Sequence, residues 1–164
     1  MTDATDDRPT VLVIEDEALV ALLVTDTLAD AGYRPVWAPD GRAARPRHEG
    51  GTAALAAVVD LRLADGLDGR DVLRRLRAQD PDMPVVVVTG FHPEAPQADL
   101  RGLGGPTVRL CKPFDCDDLL ERLAGVLGGS TVPGAPRPGA PRPGAPRPGA
   151  PRRRASDVAA MAAG

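Results

Sequence analysis

The stretch Met83-Pro-Val-Val-Val-Val-Thr-Gly90, MPVVVVTG, decides how the rest of this chain is read. Its valines are stiff at χ1 and suit a pleated strand better than a helix. An unbroken apolar run leaves no polar side for water. Such a strand is buried on both faces, as in a parallel sheet covered by helices. The run ends on a hydroxyl, Thr89, and a turn-forming glycine.

Outward from it the chain alternates. TVLVI (10–14) is another buried strand. In EDEALVALLVTDTLADAG (15–32), Leu19, Leu22, Leu23 and Leu28 recur at helical spacing, and Gly32 stops the helix. YRPVWA (33–38) reads as an edge strand, because Pro35 has no ladder donor. PDGRAARPRHEGG (39–51) is broken by Pro46 and predicts one short, turn-rich helix. ALAAVVD (54–60) is a strand that ends in a carboxylate. GRDVLRRLRAQD (69–80) predicts an amphipathic helix, with Val72, Leu73 and Leu76 inward and Arg74, Arg75 and Arg77 on a solvated face. FHPEAPQADLRGLGG (91–105) is a loop with a weak helix around Glu94–Leu103. PTVRLC (106–111) is the fifth strand, and DCDDLLERLAGVL (115–127) is a helix capped by Asp115. Five strands alternating with five helical segments predict an α/β protein with right-handed crossovers. Ligands of such sheets bind beyond the carboxyl ends of the strands.

Composition sets outer bounds. The 164 residues suit one domain with an appendage, and 2% aromatics imply a core of Val, Leu, Ile and Ala. The net charge of −3 conceals an acidic domain and a basic tail, since residues 128–164 hold six arginines against one aspartate. A nucleic-acid reader would carry its positive charge on the fold, so none is expected here. Cys111 and Cys116 are too few for a disulfide framework and lack zinc or CxxC spacing. The polar start MTDATDDRPT has no apolar signal core, and no apolar run approaches the ~20 residues that span a bilayer. A soluble cytoplasmic protein without membrane insertion is expected.

The strand ends carry the chemistry. The first ends in Glu15-Asp16, the third in Asp60, the fourth in Thr89 and the fifth in Lys112-Pro113. Single acids at strand ends often only cap the next helix. Three carboxylates, a hydroxyl and the only lysine of the chain, all at one end of one sheet, are hard to explain as caps. Asp16 and Asp60 would repel unless a cation lay between them. Mg²⁺ fits, since it needs one or two carboxylates and keeps its waters, with Glu15 reaching it directly or through water. One carboxylate can then attack a phosphoryl group to form an acyl phosphate. Mg²⁺, the Thr89 hydroxyl and Lys112 would serve its three oxygens. A compact ammonium fits between carboxylate and phosphate where a broad guanidinium is less suited.

These residues resemble the receiver domain of two-component response regulators, of the stand-alone type. The matching motifs are VLVIEDE (11–17), AVVDLRLADGLDG (57–69), VVVVTG (85–90) and CKPF (111–114). The resemblance implies a flavodoxin-like, doubly wound sheet in the order 2-1-3-4-5 with five helices over residues 10–127. It makes Asp60 the phosphoacceptor and gives Mg²⁺ to Asp16, Asp60 and the Arg62 backbone carbonyl, helped by Glu15. Thr89 and Lys112 would bind the phosphoryl group. The donor would be a sensor histidine kinase or a phosphotransfer protein, and the output contact with a downstream protein target. No separate substrate is implied, so no metabolic enzyme is expected. A phosphorylation-independent binding module is the alternative.

The sequence departs from the family pattern at Arg109, where an aromatic residue usually stands three positions before the lysine. Phe91 is a candidate to supply the missing bulk. The loop reads LADG where a proline is usual. His48 and His92 read as surface residues, and Tyr33 and Trp37 as edge-strand packing. Residues 1–9 are expected to be disordered. In the tail, GAPRP recurs at 134–138, 139–143 and 144–148 before GAPRR at 149–153. That repeat has no apolar face and favours extended polyproline II in a disordered segment. It reads as a spacer, or as a basic arm for an acidic surface, with no output domain following.

Overall fold

The computed structural model describes residues 7–46 and 53–128. Strands β1 (Thr10–Ile14), β2 (Arg34–Ala38), β3 (Ala56–Asp60), β4 (Val85–Thr89) and β5 (Thr107–Cys111) form one sheet. The order is β2-β1-β3-β4-β5, and every pairing is parallel. Helices α1 (Ala18–Asp30), α2 (Gly69–Gln79) and α3 (Cys116–Val126) cover it.

The valine run is buried along its whole length, as are β1 and β3. Successive side chains alternate between two cores. Val11, Val13, Val58, Val86 and Val88 face Val24 and Leu28 of α1 and Leu119 and Leu123 of α3. Leu12, Ile14, Val59, Val85 and Val87 face Leu73 and Leu76 of α2. The edge strands β2 and β5 are only partly covered, consistent with Pro35 in β2. Asp115 caps α3 through a reciprocal pair, accepting from the Asp118 amide while Asp118 accepts from its own. Among the described residues, no helix is long and apolar enough to cross a membrane.

Three expectations change. First, of the five helices, the described residues contain three, with single 3₁₀ turns at Ala64–Gly66 and Pro96–Ala98. Residues 39–46 form only a turn, and residues 91–106 no α-helix. Pro46, Pro93 and Pro96 remove donors, and Gly102, Gly104 and Gly105 adopt positive φ. Second, α1 buries Ala21, Val24, Thr27 and Leu28, leaving Leu19 77%, Leu22 56% and Leu23 43% exposed. The helix is apolar nearly all round, so spacing could not choose its inner face.

Third, Arg77 is not on a solvated face but 8% exposed. Its Nη1 donates to the carbonyls of Pro81 and Met83, and its Nη2 to Pro106 O and Thr107 Oγ1 at 2.8 and 2.9 Å. Burial lowers its pKa. The side chain staples the α2–β4 turn to the start of β5. Glycine is favoured beside it, because Gly105 has a φ of 57° and a Cβ there would lie 2.5 Å from the Pro81 carbonyl oxygen. His48 and the tail repeats lie outside the described residues.

Candidate functional site

Parallel strands end together, so the sheet delivers its terminal residues to one edge. Glu15 follows β1, Asp60 and Thr89 close β3 and β4, and Lys112 follows β5. Glu15, Asp60 and Thr89 are buried, at 4%, 5% and 0% exposure. Lys112 reaches in from the rim. Its Nζ lies 2.7 Å from Asp60 Oδ2 and 3.3 Å from Glu15 Oε2. The Lys112–Pro113 peptide is cis, and the Lys112 amide donates to Thr89 O at 2.8 Å.

Backbone amides hold the carboxylates in place. The Arg62 amide donates to Asp60 Oδ1 at 2.8 Å, and the Glu17 amide to Glu15 Oε1 at 3.0 Å. Asp16 is exposed and accepts from the Ala64 amide at 3.1 Å, which ties β1's end to the loop after β3. Trp37 Nε1 donates to the Glu15 carbonyl at 2.7 Å. Below the cluster, the α2 backbone crosses close to β3. A Cβ on Gly69 would meet Asp60 O at 2.1 Å, so only glycine fits there.

The structure therefore joins Glu15, Asp60 and Lys112 by direct contact and sets Asp16 beside them through the 62–64 loop. The Arg62 amide is the atom that touches Asp60. Thr89 makes no side-chain bond to the trio; its Oγ1 accepts from the Phe91 amide at 3.0 Å. The amides of Arg62 and Ala64 and the Trp37 indole escaped the sequence reading. Main-chain donors have no residue signature, and Trp37 passed as edge packing.

The electrostatics leave the pocket short of positive charge. Burial raises the Glu15 pKa to about 6, helped by Asp60 and opposed by the Glu17 amide and Lys112. Burial lowers the Lys112 pKa, but the hydrogen bond and charge of Asp60, with those of Glu15, more than reverse it, and the net shift is upward. Two buried carboxylates thus share one ammonium, with Asp16 a third acid at the edge. Among the described residues, no three ligating side chains gather into a metal cage. Mg²⁺ asks for less than that, one or two carboxylates plus water, so this donor set fits it. Other features have no such convergence. Cys111 and Cys116 are free thiols, and Cys116 Sγ pairs with Thr27 Oγ1 at 3.1 Å.

The fold is α/β, a parallel sheet with acids, a hydroxyl and a lysine at its carboxyl edge. Residues 11–124 match the response regulator receiver domain, and the chain belongs to that family. It is 36% identical over 123 residues to a response regulator receiver protein of Anaeromyxobacter sp. (strain Fw109-5), covering 73% of this chain and 48% of that one. It is 35% identical over 127 residues to the transcriptional regulatory protein TcrA of Mycobacterium tuberculosis, covering 77% and 49%. The chain thus spans about half the length of these curated relatives.

Among solved structures, a response regulator receiver protein from Sinorhizobium medicae superposes with TM-score 0.59 at 27% identity, over 74% of this chain and 96% of that one. The receiver domain of a sensor histidine kinase from Pseudomonas aeruginosa gives 0.61 at 26%, over 74% and 98%. That structure is described with a magnesium ion coordinated in its active-site cleft.

Proposed function

We propose that this receiver accepts a phosphoryl group on Asp60 from a phosphohistidine of a sensor kinase or phosphotransfer protein, and signals through protein contact. A carboxylate oxygen of Asp60 forms the new O–P bond. The P–N bond breaks, and its electron pair stays on the donor imidazole, which takes up a proton. No separate substrate is turned over, so the chain is a phosphoacceptor rather than a metabolic enzyme. The observation that carries this reading is the Lys112 ammonium held 2.7 Å from Asp60. It already sits where a phosphoryl oxygen on Asp60 would need a cation.

The other residues have roles that follow from their contacts. Asp16 and Asp60, with the Arg62 carbonyl and Glu15, would hold Mg²⁺. Mg²⁺ would supply positive charge to the phosphoryl oxygens. Among the described residues the Thr89 hydroxyl accepts from Phe91 but donates to nothing, so its proton is free for a phosphoryl oxygen. The face that meets the donor is the outer side of α1. Its exposed Leu19, Leu22 and Leu23 begin three residues after Asp16, on the helix that follows the acidic end of β1. An apolar patch at that place suits an apolar partner surface. TcrA is a transcriptional regulator by name; for this chain, the receiver's own surface is the proposed means of output.

The test is intact-mass analysis after incubation with a small phosphodonor, with and without Mg²⁺. One phosphate should add to the wild type in the presence of Mg²⁺ and be absent from Asp60→Asn. No adduct on the wild type, from the small donor or from a kinase, would select the phosphorylation-independent module.

A further inference from the structure

The chain departs from the receiver pattern at Arg109 and in the LADG loop, and the two departures do different things. Arg109 engages the main chain. Its Nη2 donates to Ala98 O, while Arg70 Nη1 of α2 donates to Pro96 O at 3.2 Å. Both bonds tie the Pro96–Ala98 turn to neighbouring elements. The LADG loop turns to the site instead. The amide of Ala64 donates to Asp16 Oδ2 at 3.1 Å, across to the segment that follows β1. A proline there would have no N–H and could not make that bond.

A fixed frame aims that amide. Leu61 N donates to Val88 O at 3.1 Å, and Gly69 N to Leu61 O at 3.0 Å. Arg62 pairs with Asp68 in an antiparallel bridge, and its own amide holds Asp60 Oδ1 at 2.8 Å. Leu61 and Leu63 are buried. The loop thus reaches Asp60 with the Arg62 amide and Asp16 with the Ala64 amide. Asp16 is held from a second direction as well. Trp37 Nε1 donates to Glu15 O at 2.7 Å and so fixes the peptide that leads into Asp16. The Asp16 side chain is exposed, and without the Ala64 amide its carboxylate would sample several rotamers in water. The amide engages Oδ2, and a carboxylate has a second oxygen with its own lone pairs. Holding this side chain and binding a cation through it are therefore compatible.

We propose that Ala64 is a positioning residue for the metal site: its main-chain amide holds the Asp16 carboxylate ready for Mg²⁺. Groups that orient a ligating side chain typically change metal affinity by about ten- to a hundredfold, and a single exposed amide belongs at the low end. The role is carried by the N–H, so every residue but proline could fill it at this position. The inference rests on the reading of Asp16 as a Mg²⁺ ligand. It does not depend on which residue accepts a phosphoryl group.

Ala64→Pro removes the donor and little else, because Leu63 is already extended, at φ −98° and ψ 156°, as a residue before proline must be. Mg²⁺ is titrated into the full chain without phosphodonor. Amide resonances and the fluorescence of Trp37, the one tryptophan, give the dissociation constant. Ala64→Pro should weaken binding by about tenfold, and Ala64→Gly, which keeps the donor, should stay within about twofold of wild type. In an Asp16→Ala background, Ala64→Pro should change binding by less than about twofold, because the amide acts through that carboxylate. Wild-type affinity in Ala64→Pro, or equal weakening by Ala64→Pro with and without the Asp16 carboxylate, would overturn the positioning role and leave the Mg²⁺ site standing. So would Ala64→Gly binding as weakly as Ala64→Pro. If Ala64→Pro folds poorly, exchange of the Ala64 amide decides. Asp16→Ala should speed it by about tenfold, and saturating Mg²⁺ should leave it unchanged in the wild type. A rise to the Asp16→Ala rate on adding Mg²⁺ would mean that the cation breaks the bond, and would overturn the proposal. A wild type that binds no Mg²⁺, or Asp16→Ala binding as tightly as wild type, would overturn the metal reading and this role with it.

Discussion

Two basic groups are drawn into this protein at opposite ends of its sheet. Arg77 lies where β4 and β5 begin, gripping the carbonyls of Pro81, Met83 and Pro106. Lys112 lies where β5 ends, between the carboxylates of Asp60 and Glu15. The first has fixed, neutral acceptors that match a planar fork of donors. Its hydrogen-bond acceptors are main-chain carbonyls and a hydroxyl, so the contact serves structure. The second has charged acceptors, one of them with a pKa of about 6, and a flexible stem that can transfer its donors to a new anion. One end of the sheet is stapled, and the other is left able to react.

The comparison can be broken most sharply at the staple. Arg77→Ala should strand buried carbonyls and cost about 3 kcal/mol of stability in urea unfolding. Folded protein should still reach the wild-type extent of phosphate adduct. A loss of adduct in proportion to the loss of stability would mean that the two ends are not independent. At the reactive end the pattern should reverse. Lys112→Ala should slow adduct formation from a small donor by roughly a hundredfold, as removal of one oxyanion-type donor does elsewhere. Its unfolding midpoint should move much less than that of Arg77→Ala, because Glu15 can take up a proton when the ammonium is gone.

Smaller effects sharpen the picture around the site. Leu22→Asp on the open face of α1 should slow transfer from a phosphorylated kinase by about tenfold, equivalent to ~1.4 kcal/mol at an interface position. Its rate with a small donor should be unchanged, since the site itself is intact. Equal slowing with both donors would place the defect in the pocket instead. Last, Asp115→Ala removes the cap of α3 and should cost about 1 kcal/mol by thermal or urea unfolding, without touching the chemistry.

Much of this was legible in the residues. The valine run of β4 and the shorter runs of β1 and β3 announced a covered parallel sheet, because nothing in them could face water. The carboxyl-edge rule then put Glu15, Asp16, Asp60, Thr89 and Lys112 at one end of the sheet, and Glu15, Asp60 and Lys112 do meet there. What stayed hidden has physical causes. An α1 apolar on nearly every side gives no sign of which leucines face out, so helical spacing grouped Leu19, Leu22 and Leu23 with the buried Leu28. Arg77 is chemically the same as its exposed neighbours Arg74 and Arg75, and only the approach of β5 distinguishes it. Arg62 and Ala64 act through their amides, which every residue but proline carries. The turn at Pro96–Ala98 depends on side chains from α2 and β5, so local propensity around Glu94–Leu103 could not describe it.

The central claim is that Asp60 itself receives the phosphoryl group. Borohydride reduction converts an aspartyl phosphate to homoserine, so reduction of the Mg²⁺- and donor-treated protein, followed by peptide mapping, reads the residue directly. The account predicts homoserine at position 60 and at no other acidic position. Homoserine at Asp16 or elsewhere, or an unreduced Asp60 in protein that carries a phosphate mass, would contradict it.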